Sequence, residues 1–269
     1  MSANLTAPTS TKNEGSVNLT IADGIAAVVF DRPQARNAMT WSMYEALGSI
    51  CAQLQADASV RVVTFRGAGG EAFVAGTDIA QFKAFKNGED GVAYERKIDQ
   101  CIGLLEMLPM PTVAVIEGWA IGGGLAIATA CDFRIGTPSA RFGVPIAKTL
   151  GNCLSIANLA RLRAAFGMQR VKRMLMLAEI LHADEALDCG YLGQIVEAAA
   201  LDAAGARLCE RLAALAPVTQ SVSKEGLRRL LVQALPAGED LIRQCYGSTD
   251  FREGVEAFVA KRSPLWKGV

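Results

Sequence analysis

The sequence predicts an α/β fold with a helical C-terminal portion, and three observations carry that prediction. Short apolar runs rich in β-branched residues alternate with helix-like segments through the first part of the chain. From about Leu154 onward the pattern is almost entirely helical. Two glycine-centred turns, Phe73-Val74-Ala75-Gly76-Thr77-Asp78-Ile79 and Gly118-Trp119-Ala120-Ile121-Gly122-Gly123-Gly124, join strand-like to helix-like segments.

Taken in order, Val17–Ile21 and Ile25–Phe30 flank Ala22-Asp23-Gly24 and predict a hairpin with Asp-Gly at its turn. Asp31-Arg32-Pro33 ends the second strand, and Thr40 caps a helix that runs to about Leu54. Val60–Arg66 is a strand, followed by the Gly67–Gly70 loop and the first glycine turn. Lys83 to Gly91 is charged and broken by glycine, which reads as a mobile segment able to act as a lid. A helix follows over 92–108 and stops at Pro109 and Pro111. Thr112–Glu117 is a buried strand leading into the second turn and a small-residue helix to Ala130. Short strands are expected at 132–135 and 141–142, and helices at 154–164, 168–178, 183–188, 200–214, 217–233, 238–246 and 249–260. One strand, Gln194–Val196, interrupts them. Strand-strand-helix units recur in outline, without a residue-level repeat.

Composition limits the function classes. The 269 residues are 51% hydrophobic and 20% charged, enough for a substantial core. Lys+Arg and Asp+Glu are equal at 27 each, so no global field gathers nucleic acid or anionic lipid. Seven cysteines stand apart without a CxxC pair, which suits buried thiols in a reducing cytosol and gives no zinc spacing or disulfide framework. Residues 1–16 lack the apolar stretch of an export signal and read as a flexible tail, and no apolar run approaches membrane-spanning length. The expectation is a cytoplasmic protein without a nucleic-acid or membrane partner and without a metal.

The two turns carry the chemistry. Tight glycine turns leave peptide N–H groups outside any ladder, and two N–H groups converging on one point stabilise negative charge on a carbonyl oxygen. Gly122-Gly123-Gly124 after a strand also raises a phosphate-cradling dinucleotide turn. The pattern is not G-x-G-x-x-G, however, and no acidic residue follows at the required spacing, so a redox cofactor is not expected.

These segments, in this order, resemble the crotonase superfamily, the enoyl-CoA hydratase/isomerase family. Besides the two turns, the likeness rests on Asp31-Arg32-Pro33 with Asn37-Ala38-Met39, Cys131-Asp132, Phe142-Gly143-Val144-Pro145, Ala183-Asp184-Glu185-Ala186-Leu187 with Gly190-Tyr191-Leu192-Gly193, and Asp250-Phe251-Arg252-Glu253-Gly254 through Ser263-Pro264. It covers nearly everything from Val17 to Val269. The resemblance implies a spiral of ββα units over 17–200 that binds acyl-CoA. It also implies a C-terminal helical trimerisation region over 201–269 and assembly as a homotrimer or dimer of trimers. Carried over position by position, the backbone N–H groups of Thr77 and Gly123 would form the oxyanion hole. Arg36, Ala38, Ala75, Gly76, Asp78, Ile79 and Ala80 would lie along coenzyme A, which enters as part of the substrate, with no separate cofactor.

One departure stands out. The family's hydratases use two glutamates, and the corresponding positions here are Ala126 and Ile146, neither of which can move a proton. Thioester activation is therefore expected to persist while simple hydration is doubtful. Within this acyl-CoA enzyme class an isomerase or a decarboxylase is expected instead; the rival reading is a non-catalytic acyl-CoA-binding scaffold. Other groups along the chain are the remaining candidates for proton transfer. Glu117 reads as a strand-end residue bonding locally, Asp78 as a helix cap, and Asp132 as the anchor of a neighbouring turn. His182, the sole histidine, falls in a helix–helix link and reads as surface. Lys148, Thr149 and Cys153 follow the empty acidic position, with Cys153 reading as a buried apolar thiol. Glu89, Asp90 and Glu95 belong to the suspected lid and its helix, and Tyr246 offers a phenol. Arg36, Lys83, Lys86, Lys261, Arg262 and Lys267 are cations that could meet phosphates and otherwise read as solvated surface.

Overall fold

In the computed structural model, which describes residues 14–268, Val17–Phe30 forms the expected hairpin with a two-residue turn. Asp23 and Gly24 both have positive φ, 51° and 76°, the geometry whose twist matches the flanking strands. The strands are β1 (Ser16–Ala22) and β2 (Ile25–Asp31). They open a six-stranded sheet that continues through β3 (Val62–Gly67), β5 (Thr112–Ile116), β7 (Phe133–Gly136) and β10 (Gln194–Ile195). The first pair is antiparallel and the others are parallel. β5 is buried at all five residues, because a central parallel strand is covered on both faces.

A second sheet of four strands runs alongside in the order β4 (Ala72–Val74), β6 (Trp119–Ile121), β8 (Arg141–Gly143) and β9 (Ile180–His182). The recurring unit explains both sheets. Each passage of the chain lays one strand in the large sheet, turns, and lays the next in the small one. So β3 is followed by β4, β5 by β6 and β7 by β8, with a helix closing each unit. Those helices are α2 (Gly88–Glu106), α3 (Gly123–Ala130) and α4 (Ile146–Thr149). Among the described residues this is an α/β architecture, as the sequence predicts, with sheets that are parallel except at the β1–β2 and β8–β9 pairs.

α1 (Trp41–Ala56) starts at Thr40, whose hydroxyl accepts from the Met43 N–H at 3.3 Å. The C-terminal half contains α5 (Ile156–Met176), α6 (Ala183–Asp188), α7 (Leu201–Ala213), α8 (Pro217–Val232), α9 (Glu239–Tyr246) and α10 (Thr249–Val259). α5 is interrupted at Gly167, which lies at φ 75° and ψ 158°, so the two helices expected on either side of it are both present.

Two expectations change. The strands β4, β6 and β9 are absent from the sequence reading, and β4 and β6 lie inside the two glycine segments. Lys83 to Gly91 is not one loose loop. Its first residues close a 3-10 helix over Ile79–Ala84, and α2 begins at Gly88 rather than 92. Asn87 and Asp90 form a reciprocal cap there, with Asp90 accepting from the Lys86 and Asn87 N–H groups. Those bonds hold the Asp90 carboxyl below its ordinary pKa. The part of the expected N-terminal tail up to residue 13 lies outside the described residues.

Candidate functional site

β4, β6 and β8 are parallel neighbours, so their C-terminal ends come together at one edge of the small sheet. Ligand sites in parallel sheets form beyond such ends, because each chain leaves its strand there and splays apart. The residues leaving these ends are Ala75 to Asp78, Gly122 to Ala126, and Val144 to Ala147. The Gly122 N–H donates to the Gly143 carbonyl at 3.0 Å, which ties the second exit to the third.

Thr77 is held by a single parallel bridge to Met39. The Met39 N–H donates to the Gly76 carbonyl and the Asp78 N–H donates to the Met39 carbonyl, both at 2.8 Å. In that pattern the N–H of Thr77 itself faces away from Met39. Gly123 is the first residue of α3, where helical N–H groups have no intrahelical acceptor, and Gly122 provides no side-chain cap. Among the described residues no backbone acceptor takes the Thr77 or Gly123 N–H. The two positions are close: a Cβ built on Gly123 would sit 3.2 Å from Thr77 Oγ1. Gly122 turns the chain at φ 53°, and Gly124 lets α3 press onto β4, since a Cβ there would lie 2.0 Å from the Val74 carbonyl.

The segment carrying Arg36 and Ala38 is fixed from behind. Asn37 is fully buried; it accepts from the Arg32 N–H at 2.9 Å and donates to the Ala68 and Ala72 carbonyls at 2.9 and 2.8 Å. Arg32 donates to the Ala38 carbonyl and pairs with Asp78 at 2.7 Å. Asp78 also caps the 3-10 helix by accepting from the Ala80 N–H at 3.0 Å, the capping role the sequence suggests. The Ala75 N–H donates to the Arg36 carbonyl. Arg36 is exposed and pairs with Glu71, while Ile79 is half-buried and Ala80 exposed. Thus the candidate residues 36, 38 and 75–80 form one contiguous strip leading to Thr77.

The other candidates disperse. Glu117 pairs with Arg66 at 3.0 Å. Asp132 accepts from the Thr112 N–H and hydroxyl at 2.8 Å and pairs with Lys224 at 2.7 Å. Both are therefore structural, as expected. His182 is exposed at the end of β9 rather than in a helix–helix link. Lys148 is exposed, the Thr149 hydroxyl donates to the Pro145 carbonyl, and Cys153 packs half-buried on the core. Glu89 pairs with Arg243, and Arg262 with Glu253. Lys83 lines a cavity of about 450 Å³ with Phe82, Phe85 and Arg252. Lys86, Lys261 and Lys267 are exposed. Ala126 and Ile146 are half-buried and pack on the core.

Glu95 lies inside α2, only 2% exposed. Its carboxylate accepts from the Tyr246 hydroxyl at 2.7 Å and the Ser155 N–H at 3.0 Å. Asn152 in turn donates to that phenol at 3.2 Å. Burial outweighs these bonds and pushes the Glu95 pKa up to about 7, with nearby Asp99 adding to the rise. The folded protein then holds this proton through a pH range in which the unfolded chain, near 4.5, has lost it. Stability is consequently expected to fall as pH rises from about 4.5 to 7, by about 3 kcal/mol at most, and to level off above. Urea unfolding from pH 5 to 8 checks this; Glu95→Gln is expected to flatten the slope over that window.

Sequence reasoning missed Tyr44 and Tyr94. Tyr44 Oη lies 2.8 Å from Thr77 Oγ1, and Tyr94 Oη lies 3.1 Å from the same atom. A Cβ on Gly123 would be 2.4 Å from Tyr44 Oη. Burial raises both phenol pKa values, so both stay protonated.

A sequence model of the enoyl-CoA hydratase/isomerase family matches residues 20–269. The chain belongs to that family. A short-chain-enoyl-CoA hydratase of Clostridium acetobutylicum is 31% identical over 242 residues, covering 88% of this chain and 92% of its own. A structure of an enoyl-CoA hydratase/carnithine racemase from Magnetospirillum magneticum is 33% identical, with a TM-score of 0.77 over 94% of this chain and 96% of its own. A structure of methylmalonyl-CoA decarboxylase in complex with 2-nitronate-propionyl-CoA is 25% identical, with a TM-score of 0.86 over 94% and 98%. The fold is therefore that of the crotonase enzymes, and the chain is a member of an acyl-CoA enzyme family. Among the described residues no helix is long and apolar enough to cross a membrane.

Proposed function

We propose that this protein activates an acyl-CoA thioester by holding its carbonyl oxygen between the Thr77 and Gly123 N–H groups, and that its reaction proceeds through the thioester enolate without a pair of catalytic carboxylates. The observation that supports this reading most directly is that Thr77 and Gly123 lie close together and neither N–H has a backbone acceptor among the described residues. The partial positive charge of the α3 N-terminus favours the same anion. The strip from Arg36 to Ala38 and Ala75 to Ala80 is proposed to carry the coenzyme A arm. No cofactor other than that of the thioester is proposed.

Ala126 lies one helical turn beyond Gly123, and Ile146 starts α4 at the third strand exit. Both are apolar where hydration needs a carboxylate to activate water and another to supply a proton. Loss of carbon dioxide from a malonyl-type thioester needs neither to generate the enolate. The breaking carbon–carbon bond leaves its electron pair on the α-carbon, the thioester oxygen takes up the charge, and a proton taken up from water at the α-carbon completes the product. Two amide donors are the main requirement of such a reaction. The likeness to a decarboxylase of the same class is consistent with this choice.

The test compares crotonyl-CoA hydration with decarboxylation of methylmalonyl-CoA in deuterated water, following deuterium at the α-carbon of the decarboxylated product. Decarboxylation with α-deuteration and without efficient hydration is expected. Hydration at the rate of ordinary family members would contradict the reading, and binding without product would favour a scaffold.

A further inference from the structure

The hydroxyls of Tyr44, Thr77 and Tyr94 form a connected group whose hydrogens can be counted. Three O–H groups make two contacts, Tyr44 to Thr77 at 2.8 Å and Thr77 to Tyr94 at 3.1 Å. One hydrogen is left over, and its position decides what the group does. Tyr44 and Tyr94 are 2% and 9% exposed, and among the described residues each phenol oxygen has only Thr77 as its hydrogen-bond partner. A phenol that failed to donate to Thr77 would leave a buried O–H unpaired, which costs about 1–3 kcal/mol. The favoured arrangement has both phenols donating to Thr77 Oγ1. That fills both lone pairs of the oxygen, so the Thr77 hydroxyl must donate elsewhere. Thr77 is half-buried, and its Oγ1 faces the start of α3 beside Gly123.

Resting on the acyl-CoA reading above, we propose that the Thr77 hydroxyl, aimed by Tyr44 and Tyr94, donates a hydrogen bond to an oxygen carried by the acyl group beside the thioester. This selects malonyl-type thioesters over plain alkyl ones. A bound alkyl chain would leave that O–H without a partner, whereas a carboxylate gives it a charged acceptor. Thr77 thus acts twice, through its peptide N–H on the thioester oxygen and through its side chain on the neighbouring substituent. Tyr44 and Tyr94 are positioning residues, since their own hydrogens are used on Thr77. Trp41 and Phe82 pack their rings against Tyr94 at 5.6 and 4.9 Å, and Trp41 lies 6.2 Å from Tyr44, which limits movement of either phenol.

Binding alone reads this inference, with a malonyl-type probe that cannot turn over. Dissociation constants for 2-nitropropionyl-CoA, whose nitronate stands in for the carboxylate and cannot leave as carbon dioxide, and for butyryl-CoA are measured by calorimetry on the wild type, Thr77→Val, Thr77→Ser and Tyr44→Phe/Tyr94→Phe. Thr77→Val keeps the peptide N–H and replaces the hydroxyl with a methyl group. It is expected to weaken 2-nitropropionyl-CoA binding about tenfold relative to butyryl-CoA, while Thr77→Ser restores the preference. Tyr44→Phe/Tyr94→Phe leaves a free rotor at Thr77 and is expected to lose part of the preference; it carries the test if Thr77→Val does not fold. Parallel weakening for both thioesters, or no change in their ratio, would overturn the inference while leaving the amide reading intact. A wild type that binds neither thioester would overturn the acyl-CoA reading itself and this inference with it.

Discussion

Gly123→Ala is expected to lower turnover of the acyl-CoA substrate by about 10²–10³-fold, the loss found when one oxyanion donor is removed from comparable sites. The added methyl would lie 2.4 Å from Tyr44 Oη and 3.2 Å from Thr77 Oγ1. Tyr44 has little room to retreat, because it is 2% exposed and its hydroxyl is engaged by Thr77. The start of α3 must move instead, and with it the N–H proposed to hold the thioester oxygen. Steady-state kinetics on Gly123→Ala measures the loss. Tyr44→Phe in the same chain removes the colliding oxygen and is expected to recover part of it. A Gly123→Ala protein of wild-type activity would show that this N–H does not touch the reacting oxygen.

Converting Ala126 and Ile146 to glutamate together is expected to raise crotonyl-CoA hydration by a factor on the order of 10²–10⁴ for each group correctly placed. Ala126 follows Gly123 by three residues, so on α3 it shares a face with the proposed donor. Both side chains are half-buried, which leaves space and some contact with solvent for a carboxyl group. Burial against the core also raises the pKa of a carboxyl placed there, helping one of the two to enter the reaction as an acid. A folded double variant that binds crotonyl-CoA yet hydrates it no faster than wild type would show that these positions do not face the reacting carbons.

Much of this was readable from residues, and the omissions have physical causes. The Asp-Gly hairpin, the Thr40 cap and the break at Gly167 follow from local backbone preferences, which sequence reports directly. The strands β4, β6 and β9 escape because three residues are too few to show an alternation. The charges and glycines from Lys83 to Gly91 read as a loose segment, whereas Asn87 and Asp90, three residues apart, signal a helix start. At the site, the family resemblance assigns Thr77 and Gly123 within the glycine turns, but nothing local points to Tyr44 and Tyr94. Both are buried residues of α1 and α2. The usable signal was their chemistry: a buried tyrosine needs a partner for its hydroxyl, and Thr77 is one of few hydroxyls near the turns.

Glu95 illustrates the opposite error. By its place in the sequence it reads, with Glu89 and Asp90, as a carboxylate that a lid brings to the thioester, whereas the structure points it at Tyr246 and Ser155. Helical periodicity separates the three: Glu89 and Asp90 lie in the first turn of α2 and Glu95 turns inward, among the buried residues of that helix.

The most direct measurement is a crystal structure with a non-reactive acyl-CoA analogue bound. A single thioester oxygen is expected within about 2.7–3.1 Å of both the Thr77 and the Gly123 nitrogens. A thioester seated elsewhere, or an oxygen that meets only one of the two, would contradict the proposed oxyanion hole.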